Sequence, residues 1–170
     1  MPAKISFSTG LAATIALAGC QDYRVSLNDR PVYQPPGMVR DIQAQDPALN
    51  ACIAQWISDQ NITQHRQLNA LNCSHAGISD ITGLNQFTGL QQVNLADNQI
   101  QSIEGLLGLS QITRLDLSGN NLTQLQTLLN LPRLEWVDLR GNKGVRCDEV
   151  GQMTAGGDVE VEAPNHCNAR

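Results

Sequence analysis

Leu68, Leu90, Ile112 and Leu134 follow one another at intervals of 22 residues. Three further columns keep that interval through the same stretch: Leu71, Val93, Leu115 and Val137; Cys73, Leu95, Leu117 and Leu139; Ile78, Ile100 and Leu122. The second half of each unit stays in step through Ile81, Ile103 and Leu125, then Leu84, Leu106 and Leu128, then Phe87, Leu109 and Leu131. The letters between the columns drift. A fixed apolar period in the twenties is the mark of a solenoid. No single unit can cover its own apolar face, so only stacked neighbours enclose a core.

Within each unit the spelling is LxxLxLxxNxL, as in "LQQVNLADNQI" from Leu90 and "ITRLDLSGNNL" from Ile112. This resembles the leucine-rich repeat. The 22-residue length and the Gly83-Leu84 and Gly89-Leu90 pairs look most like its SDS22-like or internalin-like class. The resemblance implies an α/β solenoid, a short right-handed coil with a parallel β-sheet on its concave face. The alternation in LxL points both leucines inward from a short strand. Asn98, Asn120 and Asn142 fill one column, where a buried amide can bond backbone groups that a tight turn leaves unpaired. The first coil has Ala76 there, so its ladder is expected to be weaker.

A solenoid needs covered ends. Ahead of the repeat, Asp46 and Pro47 suit the N-cap and first position of a helix. Leu49, Cys52, Ile53, Trp56 and Ile57 form an apolar stripe along it, and Asn61 is expected to end it. Residues 46–67 are therefore assigned to an N-terminal cap, 68–146 to the repeats and 147–170 to a C-terminal cap. Adding 22 to Leu125, Leu128 and Leu131 reaches Cys147, Val150 and Met153, and adding it to Val137 and Leu139 reaches Val159 and Val161. The tail thus reads as a degraded fifth coil.

The chain opens with "MPAKISFSTGLAATIALAGC", one early cation followed by an apolar run ending in small residues. Residues 1–19 read as a secretory signal. "LAGC", Leu17 to Cys20, resembles the lipobox of bacterial lipoproteins, which implies lipidation of Cys20 and a membrane anchor there. Gln21 follows the Cys, and Asp22 stands one place too late for the inner-membrane retention mark, so the outer membrane is favoured, with the periplasmic or surface side left open. Several acyl chains at about 0.8 kcal/mol per buried CH₂ would hold firmly. Residues 20–45 carry Pro31, Pro35, Pro36 and Gly37 without a sustained apolar period, and read as a flexible linker spanning about 28 Å as a coil.

Apart from Cys20, four cysteines remain, and a secreted chain suggests two bridges out of three possible pairings. Cys52 lies on the helix stripe and Cys73 replaces an inward leucine of the first strand, so these two should meet. Cys147 and Cys167 bracket the C-terminal cap and should pair with each other. Cys147, His166 and Cys167 lack the spacing of a metal site, and neither a metal nor a cofactor is expected.

The formal charge of −5, with no basic run, excludes a nucleic-acid surface. No nucleophile elbow, H-E-x-x-H or phosphate-cradling loop occurs, so no enzyme is expected. His75 sits at a turn without an acid in its own coil. Asp116 and Asp138 share a column on neighbouring strands, and on a solvated sheet they read as ordinary surface carboxylates.

The variable strand positions form three outward rows: Ala70, Gln92, Arg114, Trp136; Asn72, Asn94, Asp116, Asp138; and Ser74, Ala96, Ser118, Arg140. Arg114, Asp116, Trp136, Asp138 and Arg140, with Glu135 and Gln92 beside them, have the composition of a protein-binding patch. Trp136 can instead pack on the C-terminal cap, with Arg140 pairing to Asp138. The sequence therefore points to a monomeric, lipid-anchored envelope protein whose concave face binds a protein or peptide. The alternative is a structural lipoprotein that holds peptidoglycan or polysaccharide, against which the scarcity of aromatics counts.

Overall fold

The computed structural model describes residues 25–27, 30–33, 39 and 42–167. The chain divides into two units, residues 1–35 and residues 36–170. In the first, strand β1 (Val25–Leu27) pairs antiparallel with β2 (Arg30–Tyr33), inside the stretch read as a linker. The signal segment 1–19 and Cys20 lie outside the described residues.

The second unit starts packing before residue 46. Val39, Ile42 and Ala44 are partly buried against its core. Helix α1 (Pro47–Asp59) follows. Asp46 caps it, its Oδ1 accepting the N–H groups of Ala48 and Leu49. The other carboxylate oxygen accepts the N–H and hydroxyl of Ser79 and the N–H of Asp80, so one side chain both starts the helix and fastens it to the first coil. Burial pushes the Asp46 carboxyl upward, but the N–H groups of Ser79, Asp80 and Leu49 and the Ser79 hydroxyl outweigh it and hold the pKa down to about 2. The helix ends at Asp59, and Asn61 turns the chain with a left-handed φ of 51°, which Asn tolerates better than most residues.

Five three-residue strands then form one parallel sheet in chain order: β3 (Ala70–Asn72), β4 (Gln92–Asn94), β5 (Arg114–Asp116), β6 (Trp136–Asp138) and β7 (Glu160–Glu162). From β3 to β6 the register is the 22-residue repeat, with Leu71, Val93, Leu115 and Val137 side by side. Short 3-10 turns at Leu84–Gln86, Glu104–Leu106 and Leu128–Asn130 carry the chain back. The repeating apolar columns are buried and merge into one core running from Leu49 to Met153. Each fully buried leucine contributes about 2 kcal/mol. The two Gly-Leu pairs mark backbone-on-backbone contact: a Cβ on Gly83 would lie 2.1 Å from the Gln43 carbonyl oxygen, and one on Gly89 2.0 Å from that of Arg66.

The asparagine column reaches backward. Asn120 donates to the carbonyls of Leu117 and Ser118 in its own coil and of Leu95 in the coil before, and its Oδ1 accepts the Ile100 N–H. Asn142 repeats this on Leu139, Leu117 and Leu122. Asn98 does the same for the first coil, through Cys73, Ala76 and Ile78. With Ala76 in the column the first turn has no asparagine of its own: its Cys73 carbonyl accepts from Asn98 alone, where the Leu95 carbonyl accepts from both Asn98 and Asn120, so the ladder is thinner there, as expected.

At the far end, α2 (Cys147–Thr154) covers the core with Val150 and Met153, and the Glu149 carboxylate accepts the Leu125 N–H. β7 aligns with β6 at an offset of 24 residues, Val137 beside Val161, and not at the expected 22. A helix has replaced the usual return path, and the connection is two residues longer. A shift of two keeps every side chain on its face, so Val159 and Val161 still pack on the core. Both bridges are present, Cys52–Cys73 and Cys147–Cys167.

Candidate functional site

The sheet face opposite the returns carries a hollow of about 330 Å³. Its floor is made of Asn72, Gln92, Asn94 and Asp116, and its ends are Trp56 on one side and Arg114 with Trp136 on the other. In-register pairing puts Ala70, Gln92, Arg114 and Trp136 on four successive strands, about 4.8 Å apart. The Arg114 guanidinium carbon lies 4.6 Å from the centre of the Trp136 ring, a cation–π stack. Among the described residues Arg114 makes no ion pair. Trp136 is half-buried and faces this hollow, so it is not consumed by the C-terminal cap.

Trp56 belongs to this site although its sequence pattern placed it in the core stripe. The fully buried helix residues are Leu49, Ile53 and Ile57, which centre the stripe on Ile53. Trp56 is rotated about 60° to one side of that centre at 100° per residue. It is half-buried, and its indole N–H donates to the Asn72 carbonyl at 2.7 Å. Cys52, on the same flank, is bonded to Cys73. The amphipathic ring thus satisfies one carbonyl on the outer edge of β3 and offers its remaining surface to the hollow.

The second outward row has a structural duty the sequence reading missed. Asn72 Oδ1 accepts the N–H of Ser74, Asn94 that of Ala96, Asp116 that of Ser118 and Asp138 that of Arg140. A side-chain oxygen that bonds the backbone two residues on is an Asx turn, and Asn and Asp supply it equally. This explains a column that tolerates both. Asp138 is nearly fully buried and forks onto the Arg140 guanidinium, so the pair is satisfied within the protein. The second carboxylate oxygen of Asp116 has no protein partner among the described residues.

Of the seven positions singled out from the sequence, Gln92, Arg114, Asp116 and Trp136 meet in the hollow. Asp138 and Arg140 lie beside it as a closed pair, and Glu135 opens onto a separate hollow with Arg133 and Asp158. His75 does have an acid in reach, Asp97 of the next coil at 3.3 Å, on the exposed loop edge. The ligand atoms of Cys147, His166 and Cys167 lie within 4.8 Å of one another, but the two sulfurs are bonded together and are not thiolate ligands.

Residues 88–143 match the family described as leucine rich repeat. The fold is that of a leucine-rich repeat solenoid. The coordinates are similar to those of an internalin from Listeria monocytogenes str. 4b F2365, with a TM-score of 0.64 and 20% identity over 76% of this chain. They are also similar to internalin C2 from the same strain, with a TM-score of 0.54 and 24% identity over 60% of this chain. This solenoid accounts for 39% and 47% of those two chains, less than half of either. No curated protein matches the sequence.

Proposed function

We propose that this leucine-rich repeat protein binds a partner protein, through an extended segment of it, in the hollow on the concave sheet. It acts as a non-enzymatic module held at the bacterial cell envelope by lipid on Cys20, with the outer membrane favoured. The observation that carries the binding reading is the pairing of two tryptophans, across a polar floor, with a guanidinium that makes no ion pair among the described residues. Trp56 and Trp136 are each fixed by a neighbour, so little side-chain freedom is lost on binding. Arginine and tryptophan are the residues in which binding energy concentrates. The lipid anchor rests on "LAGC" alone. The test uses soluble, oxidised residues 21–170 and compares capture from envelope extract with that of Trp136→Ala/Arg114→Ala. A protein partner retained by the parent and weakened about thirtyfold or more by the variant supports the reading, while equal retention overturns it.

Polysaccharide or peptidoglycan binding stays as a second reading because of one observation, the presence of Trp56 as a second aromatic wall. Sugar rings stack on such surfaces, and amides such as Asn72, Gln92 and Asn94 bond hydroxyls. Pull-down with isolated sacculi separates the two, since only the glycan reading expects retention there that Trp56→Ala abolishes.

A further inference from the structure

Every coil hands the same backbone groups to its successor. The carbonyls of Asn69, Gln91, Thr113 and Glu135 accept N–H groups of Gln92, Arg114, Trp136 and Glu160. In the other direction the N–H groups of Cys73, Leu95, Leu117 and Leu139 donate to the carbonyls of Asn94, Asp116, Asp138 and Glu162. The next members of these two series are the Val159 carbonyl and the Ala163 N–H. Alternate residues of a parallel strand bond to opposite neighbours. The backbone of Glu160 and Glu162 is therefore spent on β6, and Val161 turns both its N–H and its carbonyl outward. β7 pairs only with β6, and these four groups have no partner among the described residues.

The side chains tell the same story. Val161 is only half-buried where Val137, its neighbour in the sheet, is fully buried, and Val159 and Ala163 are likewise half-covered. Glu160 and Glu162 stand beside Trp136 and Asp138 in the register, on the outward rows. A second copy of the chain fits this edge badly, because pairing β7 with β7 sets glutamate against glutamate, and like charges across a strand pair are destabilising. Acidic side chains on an open edge are a known guard against self-pairing.

We infer that the open edge of β7 accepts an added strand from a partner protein, an extended segment with basic residues opposite Glu160 and Glu162 and an apolar residue between them that covers Val161. The backbone groups give the attachment, and the alternation of charge and apolar surface gives the choice of partner. This surface is separate from the concave hollow and stands whether or not the hollow binds anything.

The experiment uses the oxidised chain and three synthetic peptides. One alternates lysine with valine, one alternates glutamate with valine, and one is the lysine peptide with alternate amides N-methylated. Amide exchange of Val161 and Ala163 is followed by NMR, and affinity by titration. The lysine peptide is expected to slow exchange at both amides at least tenfold, and the other two peptides are expected to leave them unchanged. In Glu160→Lys/Glu162→Lys the lysine peptide should bind about five- to tenfold more weakly, and the glutamate peptide should gain. The inference is overturned if the lysine peptide fails to bind at millimolar concentration, or binds without protecting Val161 and Ala163. Protection of those amides by raised protein concentration alone would also overturn it, in favour of a second copy. The exchange measurement is made on the unmutated chain, so it does not depend on the variant folding.

Discussion

The two ends of the solenoid are closed by devices of similar size and different reach. At the N-terminal end the bridge Cys52–Cys73 joins the capping helix directly to the first strand, Trp56 satisfies the exposed Asn72 carbonyl, and Asp46 grips the first coil at Ser79 and Asp80. At the C-terminal end the bridge Cys147–Cys167 joins the cap to itself, from the start of α2 to the turn beyond β7. There the cap reaches back to the repeats through the β7 ladder on β6, the Glu149 carboxylate on the Leu125 N–H and the His166 ring on the Val145 carbonyl, and the outer edge of β7 has no partner among the described residues. The bridges span nearly equal separations, 21 and 20 residues. In the chain-entropy account they restrict the unfolded chain equally. What differs is which native elements each one couples. The first ties cap to sheet covalently, and the second closes a loop within the cap, whose hold on the repeats is left to the β7 ladder and to core packing.

The largest effect is expected from removing a bridge. Cys52→Ala/Cys73→Ala and Cys147→Ala/Cys167→Ala should each lose about 3 kcal/mol by denaturant titration. Hydrogen exchange should separate them: the first pair lowers protection through β3 and β4, and the second lowers it in α2 and β7 while β3 to β5 keep theirs. Uniform loss in both variants would erase the distinction between the ends. Asn120→Ala, midway along the sheet, is expected to cost about 2 kcal/mol, because it strands the Ile100 N–H and takes one of two amide donors from each of the Leu95 and Leu117 carbonyls, which keep Asn98 and Asn142. If the ends are coupled through this ladder, two transitions should replace one in its unfolding curve.

The smallest pair sharpens the contrast most. Asp46→Ala should cost about 1–2 kcal/mol, and Glu149→Ala about 1 kcal/mol, both read at neutral pH. The Asp46 effect should also depend on pH. Its carboxyl is lowered in the folded chain from 3.8 to about 2, so its contribution is fully present above the unfolded value and fades as the pH falls through the folded one. The parent should therefore lose stability between about pH 4 and pH 2 more steeply than Asp46→Asn.

The coil was legible because solenoid packing repeats each demand at a fixed interval, so seven apolar columns could be checked against one another. The helix cap at Asp46 and the two bridges were legible for the related reason that each sits at an end the repeat cannot cover. The slip of β7 was not, since the length of a helical return leaves no trace in the period of the coils before it. Trp56 packs against the core on the side the stripe gives it, but a helical stripe identifies a side of a helix and not the depth of each residue on it, so its place at the flank, with the N–H spent on a strand edge, was not legible. The duty of the Asn72, Asn94, Asp116 and Asp138 row was written in the sequence as a column that accepts only side chains bearing Oδ1. It was read as surface variation. Of the site itself, Arg114 beside Trp136 followed from the interval alone, whereas the opposite wall required knowing how the cap lands on the sheet.

The backward reach of Asn98, Asn120 and Asn142 gives the molecule a direction in time. A turn is finished by an amide that belongs to the following coil, so during synthesis each coil stays incomplete until its successor has emerged. A chain stopped short at a coil boundary loses the amide that the next coil would have lent and exposes the apolar face it would have covered, while a chain lengthened by one whole unit breaks no joint at all. The protein can thus grow by insertion far more easily than it can survive truncation.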